Sequence, residues 1–327
     1  MNILITGGAG YIGSHTALSL IDKGHKVSII DNLITGSRKL IPKNAKFYKC
    51  DIINYKKVSE ILQKNRFDAV IHFAGLIKVE ESVKYPKKYE YNNYTKSKKF
   101  IDICIKNKLN NIIFSSTASI YGHSKKKNCK ENSKLNPQNP YAKTKFKIEN
   151  FIIKRAKQKK LNYIILRYFN VAGADRKLRS GLLDKKSSHL IKVACEVATK
   201  KKNFFIINGS NYRTSDKTAV RDFIHVTDLS EIHILSISYL LKKKKSQIFN
   251  CGYGKGFSVL QIIKSFNELL NNKIEYRFGP RRPGDIEKLV SNCNKVKKTL
   301  KWKPKYNQLK TILKTALNWE KKIISFK

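Results

Sequence analysis

Apolar and polar positions in the first half of the chain follow two alternating periods. Short apolar runs at Ile3–Ile5, Lys26–Ile30, Phe47–Asp51, Ala69–Ala74, Asn111–Ser116 and Tyr163–Tyr168 read as buried strands. Between them Ser14–Asp22, Lys56–Asn65, Lys87–Lys108 and Tyr141–Lys159 carry helical spacing. Strands that alternate with helices imply a parallel sheet, because parallel neighbours need a crossover and the crossover helix covers a face. The expected class is α/β, a Rossmann-type doubly wound parallel sheet with a smaller α/β C-terminal domain. Beyond residue 171 the pattern loosens. It predicts helices at His189–Lys200, Asp228–Leu241, Leu260–Asn271 and Leu309–Lys322, and strands at Val220–Val226 and Ile274–Phe278. Lys125–Asn139, Asp175–Ser188, Gly209–Thr218 and Gly279–Gly284 read as loops or turns.

The first strand runs into Thr6-Gly7-Gly8-Ala9-Gly10-Tyr11-Ile12-Gly13 and then a helix. In that context the glycines Gly7, Gly10 and Gly13 let backbone approach a pyrophosphate, whose charge the free N–H groups and dipole of the helix favour. The second strand ends at Asp31, 18 positions after Gly13. A carboxylate there accepts hydrogen bonds from an adenosine ribose and repels a 2′-phosphate, which selects NAD over NADP. Residues 1–171 are therefore expected to form the NAD-binding domain and 172–327 a substrate-binding domain, with the chain returning to the first around 219–250.

Tyr141 and Lys145 lie four residues apart, on one helical face. A tyrosine hydroxyl is a weak base at neutral pH, and a neighbouring cation favours its ionised form. The strand ending Ser115-Ser116-Thr117 delivers small hydroxyls that can hold a substrate oxygen while Tyr141 moves its proton.

Composition changes this picture little. Lys and Arg total 68 against 23 Asp and Glu, a formal charge of +45. The lysines are spread along surface helices (Lys56-Lys57, Lys98-Lys99, Lys157–Lys160, Lys242–Lys245) and accompany heavy use of Asn, Ile, Tyr and Phe. That is the signature of AT-rich codon drift, so no specific nucleic-acid partner is expected. No apolar run reaches membrane-span length. The chain opens directly on a buried-type strand, so no leader peptide is expected. Six scattered cysteines without a paired spacing suggest neither a metal site nor a disulfide framework, and point to a reduced, cytoplasmic setting.

TGGAGYIGSH, DNL at 31–33, HFAGL at 72–76, FSSTASIYG, NPYAKTK, RYFNVAGAD, VRDFIHVTDL and PRRPGD occur in this order along the chain. In this it resembles the extended short-chain dehydrogenase/reductase family, and within it the UDP-glucose 4-epimerase branch. The resemblance implies Thr117, Tyr141 and Lys145 as catalytic hydroxyl, acid/base and supporting cation. It implies cofactor contacts from Tyr11 and Ile12, Asp31 and Asn32, Asp51 and Ile52, Phe73, Ala74 and Gly75, Asn93 and Phe169. For a UDP-hexose it implicates Asn170, His189, Leu190, Asn208, Arg221, Arg282 through Asp285, and Leu289. Guanidinium forks at Arg221 and Arg282 also suit a diphosphate on chemical grounds. The resemblance further implies a homodimer paired through helices around 87–108 and 141–159, and galactose metabolism as its setting.

Three alternatives differ in residue chemistry. A 4,6-dehydratase needs an acid–base pair just after the threonine of the hydroxyl strand, where this chain has Ala118 and Ser119. A reductase could use the same triad. A nucleotide-binding regulator or RNA-associated sensor would have no need of Thr117, Tyr141 and Lys145. Where some relatives close the sugar pocket with a tyrosine, this chain has Leu289, which leaves room for an N-acetyl group and implies turnover of UDP-GlcNAc and UDP-GalNAc as well.

Overall fold

The computed structural model describes residues 1–123, 128–184, 188–270, 273–282 and 285–324. Parts of the predicted loops 125–139, 175–188 and 279–284, and the last residue of helix 260–271, fall outside the described residues.

The first half builds β1 (Asn2–Thr6), α1 (Tyr11–Asp22), β2 (Lys26–Asp31), β3 (Lys46–Lys49), α2 (Tyr55–Lys64) and β4 (Ala69–His72). Then come α3 (Val79–Lys84), α4 (Pro86–Tyr89), α5 (Lys96–Lys106), β5 (Asn111–Thr117), α6 (Pro140–Lys157) and β6 (Asn162–Tyr168). The second half contributes β7 (Asn170–Ala172), α7 (Leu190–Ala198), β8 (Phe205–Asn208), β9 (Val220–His225), α8 (Val226–Lys243) and β10 (Gln247–Cys251). It closes with β11 (Gly256–Ser258), α9 (Val259–Leu270), β12 (Tyr276–Gly279), β13 (Lys288–Leu289), α10 (Asn294–Leu300) and α11 (Leu309–Ile324).

Seven parallel strands form the main sheet in the order β3-β2-β1-β4-β5-β6-β10. Alternate side chains of each strand divide between two buried layers, which is why the strands read as unbroken apolar runs. Ile3, Ile5, Ile29, Ile71, Ile113 and Ile164 meet α1 and α8. Leu4, Ile30, Val70, Ile112, Phe114 and Ile165 meet α2, α5 and α6. A third apolar cluster joins α7, α9 and α11 to β8 and β9. Short sheets β11-β9-β13, with β7 also on β9, and β12-β8 complete this second region.

Two differences from the sequence expectation matter for the site. The single helix predicted over 87–108 is broken: Glu90–Thr95 forms one wide π turn between α4 and α5. Such turns recur at functional sites, and this one carries Asn93. The seventh strand, β10, gives no strand signal because buried Asn250 interrupts its apolar run. Its amide is satisfied only by tertiary partners, accepting from Tyr121 Oη at 2.7 Å and donating to Cys129 O at 2.9 Å. The chain thus re-enters the main sheet through α8 and β10. The earlier strand β9, which the expected return also included, pairs in the smaller sheet.

Candidate functional site

A cleft of about 1840 Å³ runs along the carboxyl ends of β1, β2, β4, β5 and β6, where open parallel sheets bind ligands. Its floor begins at the glycine turn. Gly7 has φ +72°, and a Cβ there would lie 2.7 Å from Ala74 N. A Cβ on Gly13 would lie 2.3 Å from Gly7 O, so α1 can approach the turn only without a side chain. Gly10 begins α1 with no side-chain cap, which leaves the first N–H groups of the helix for an anion. Asp31 accepts from Ala9 N at 3.0 Å and from Leu33 N at 2.8 Å, and burial raises its carboxyl above the usual range. Asp51 accepts from Asn32 Nδ2 at 2.9 Å and from Lys96 Nζ at 2.6 Å. A side-chain-free anion seat followed by two fixed carboxylates suits a dinucleotide with an unphosphorylated ribose, as in NAD.

At the other end of the cleft, three neighbouring positions on one stripe of α6 meet the end of β5. Asn139 caps this helix, its side chain accepting from Ala142 N at 2.9 Å, and Pro140 occupies its first turn. Burial pushes the Tyr141 phenol up to about 12, a rise that the neighbouring Thr117 hydroxyl partly offsets. Lys145 donates to Ser115 O at 2.8 Å. Burial brings its pKa down to about 8, while the charge of Glu149 holds it up. Thr117 Oγ1 accepts from Ser119 N at 3.1 Å and donates to Ser119 Oγ at 3.2 Å, which fixes the hydroxyl at the end of β5. A phenol, a cation one turn along and a hydroxyl beside it can together hold and move one proton on a substrate oxygen.

The structure brings together most of the residues the sequence nominated. Gly7, Gly10, Tyr11, Ile12, Gly13, Asp31, Asn32, Asp51, Ile52, Phe73, Ala74, Gly75, Thr117, Tyr141, Lys145 and Phe169 all line the cleft, with Asn170, His189 and Leu289. The hydroxyl of Tyr11 is engaged by Gly173 O at 2.5 Å, so this ring ties α1 to the second region. Asn93 does not line the cleft. It clamps the loop that does, accepting from Leu76 N at 2.7 Å and donating to Leu76 O at 2.8 Å. Leu190, Asn208, Arg221, Arg282 and Asp285 also lie off the cleft lining. Arg221 pairs with Asp285 at 2.6 Å, which in turn accepts from Tyr212 Oη at 2.9 Å. Arg221 stands next to Leu289 in the register of β9 and β13, so this cluster adjoins the sugar end. Arg282 instead reaches Glu80 at 3.2 Å.

Sequence reasoning gave no role to Lys96, which holds Asp51, or to the pair formed by Lys78 and Asp184 at 3.0 Å, both lining the cleft. In so lysine-rich a chain neither lysine stands out. Among the described residues no cluster of His, Cys, Asp or Glu could hold a metal ion, and no helix is long and apolar enough to cross a membrane.

The model of the NAD dependent epimerase/dehydratase family matches residues 3–252. The chain is 40% identical over 321 residues to a UDP-glucose 4-epimerase from Lactobacillus helveticus, covering 98% of this chain and 97% of that one. A Stenotrophomonas maltophila UDP-glucose-4-epimerase, solved with bound NAD and formylated UDP-arabinopyranose, superposes with a TM-score of 0.96 at 31% identity, all of both chains being covered. The UDP-Glc/GlcNAc 4-epimerase of Campylobacter jejuni is similar with a TM-score of 0.85 at 39% identity over 98% of this chain and 99% of that one. A glycine turn, two fixed carboxylates and a tyrosine–lysine–threonine centre on one cleft, matched by likeness along the whole length, place this chain in the NAD-dependent epimerase/dehydratase family.

Proposed function

We propose that this enzyme interconverts UDP-galactose and UDP-glucose by inverting C4. The observation that carries the reading is the position of Tyr141: beside Thr117, one helical turn from Lys145, in the same cleft as the glycine turn. The glycine turn, Asp31 and the Asp51 pocket would hold NAD, which when bound would supply a two-electron acceptor for the C4 hydrogen. Tyr141 takes the 4-OH proton and gives it back on the other face. Thr117 holds the 4-oxygen throughout, and Lys145 stabilises the phenolate. Between the two proton transfers the 4-keto sugar must turn. Ala118, Phe169 and Leu289, which line the cleft and share one apolar cluster, set few hydrogen bonds against that rotation.

The remaining site residues belong to the same reading. Asn170 and His189 line the sugar-nucleotide end, and the Arg221–Asp285 cluster adjoins it as the diphosphate seat, with Leu190, Asn208 and Arg282 around it. Asn93 serves the cofactor through Leu76. Residues 1–171 with α8 and β10 make the NAD-binding domain, and the rest of 172–327 the substrate domain. Leu289, smaller than tyrosine, supports turnover of UDP-GlcNAc and UDP-GalNAc. Tyr94 and Phe151 lie partly uncovered between α5 and α6, which supports a homodimer through those helices. Six free, buried cysteines support a reduced, cytoplasmic setting.

An elimination reaction finds no acid–base pair after Thr117: Ala118 is apolar, and Ser119 Oγ accepts from Thr117 Oγ1 at 3.2 Å. A reductase of the same fold would exchange its cofactor each cycle. Purified protein incubated with UDP-galactose and no added NAD should form UDP-glucose, with cofactor already bound. Absence of product even with NAD supplied would refute the epimerase reading; consumption of added NADH would favour the reductase.

A further inference from the structure

Beneath the catalytic centre lies a buried charged group that the proton transfer itself does not use. Glu149 is 1% exposed and Arg167 2%. The Glu149 carboxylate accepts from Arg167 Nη2 at 2.7 Å and Nε at 3.1 Å, and also from the Ser116 hydroxyl. Arg167 Nη1 donates to Tyr121 Oη at 3.0 Å and to Glu131 O at 2.9 Å. Arg167 and Ser116 are direct partners in the β5–β6 register, so both side chains rise from one rung toward α6. A buried ion pair is a weak source of stability, since desolvation can exceed the Coulombic gain and an apolar pair often does as well. Its geometry offers a better account.

Positions 141, 145 and 149 form one stripe of α6, and each meets β5 at Thr117, Ser115 and Ser116 respectively. The bonds run in opposite senses: Lys145 donates to the strand, and Ser116 donates to the helix. Together they fix how far α6 slides along β5, and hence where the Tyr141 phenol stands against Thr117. We propose that Glu149 is a positioning residue of the catalytic centre: held by Arg167, it locks α6 to β5 through Ser116 and keeps the Lys145 ammonium charged beside Tyr141.

The charged and titratable groups around Lys145 agree with this. On its own helix they are Tyr141 and Glu149. From β4 comes His72, which burial and Lys145 hold far below its usual pKa, to about 3, so it is neutral. From β5 come the Ser115 carbonyl and the Phe114 ring, over which the ammonium lies at 5.0 Å, and from β6 Arg167, which is spent on Glu149. Glu149 is therefore the carboxylate that offsets the burial of Lys145.

The inference rests on the epimerase reading, and its test separates the two. Wild-type protein is first shown to convert UDP-galactose; failure there refutes the epimerase reading alone. Glu149→Gln and the charge-free double variant E149Q/R167M are then compared with it across pH. The double variant leaves no arginine stranded without its carboxylate, which removes the main reason for the single one to misfold. In both, the alkaline limb of kcat should move down by about one pH unit and kcat at pH 8 should fall about fivefold, with bound NAD retained. An ultraviolet difference titration against Tyr141→Phe should show the phenolate forming at higher pH. If the limb and the phenolate titration stay where they are in both variants, or activity falls only as far as cofactor is lost, Glu149 merely supports the fold and the proposal is wrong.

Discussion

Replacing Lys145 with methionine should make the cofactor-stripped protein more stable while disabling it. Lys145 is 4% exposed, and burial lowers its pKa from 10.5 to about 8. At pH 7 both the folded and the unfolded chain carry this proton, so the folded state bears the whole penalty of a desolvated ammonium. At 1.36 kcal/mol per pH unit the difference between 10.5 and about 8 amounts to about 3 kcal/mol. Methionine fills a similar volume without charge but forfeits the bond to Ser115 O, worth about 1 kcal/mol. The balance is a gain of about 2 kcal/mol, or roughly 3 °C in melting temperature for a chain of this size. The sign reverses with pH. Between pH 8 and 10.5 the folded lysine has lost its proton and the unfolded one has not, so wild-type stability climbs through that window. The advantage of Lys145→Met should vanish there and become a deficit of about 1 kcal/mol above it. Thermal or urea unfolding of the stripped proteins from pH 6.5 to 10.5 reads both effects, and turnover of UDP-galactose should fall by about 10²-fold or more. A variant less stable than wild type at pH 7, or a stability difference that ignores pH, would refute this account.

Other expectations follow from the same geometry. Tyr141→Phe removes the proton carrier, so kcat should drop by about 10²- to 10⁴-fold with bound NAD unchanged; a full rate would overturn the assignment. Gly13→Ala would set a Cβ 2.3 Å from Gly7 O, so the turn must open, costing about 1–3 kcal/mol and releasing cofactor during gel filtration. Leu289→Tyr should cut turnover of UDP-GalNAc relative to UDP-galactose, and an unchanged ratio would show that this position does not set the size of the sugar pocket.

Much of the NAD end was legible because its residues are close in sequence: a strand, a turn and a helix N-terminus complete the seat locally. The same holds for Tyr141 and Lys145, one turn apart on one helix. The sugar-nucleotide end was harder. Arg221 and Arg282 look alike as scarce guanidinium groups, yet one is held by Asp285 beside Leu289 and the other reaches Glu80. Asn93 is similar, since its task of clamping Leu76 depends on a π turn that no helical period announces.

The sequence by itself determined the alternating strands and helices, and hence a parallel sheet with its ligands at the carboxyl ends. It determined too the glycine seat with its carboxylate, and the shared α6 face of Tyr141 and Lys145, because periodicity and turn chemistry act over a few residues. Only the tertiary structure decided that β10 completes the sheet, that Lys96 holds Asp51, and that Glu149 and Arg167 meet beneath Lys145. Each of these rests on a buried or half-buried polar residue whose cost is offset by partners distant in the chain. No local pattern encodes a partner that only folding brings near.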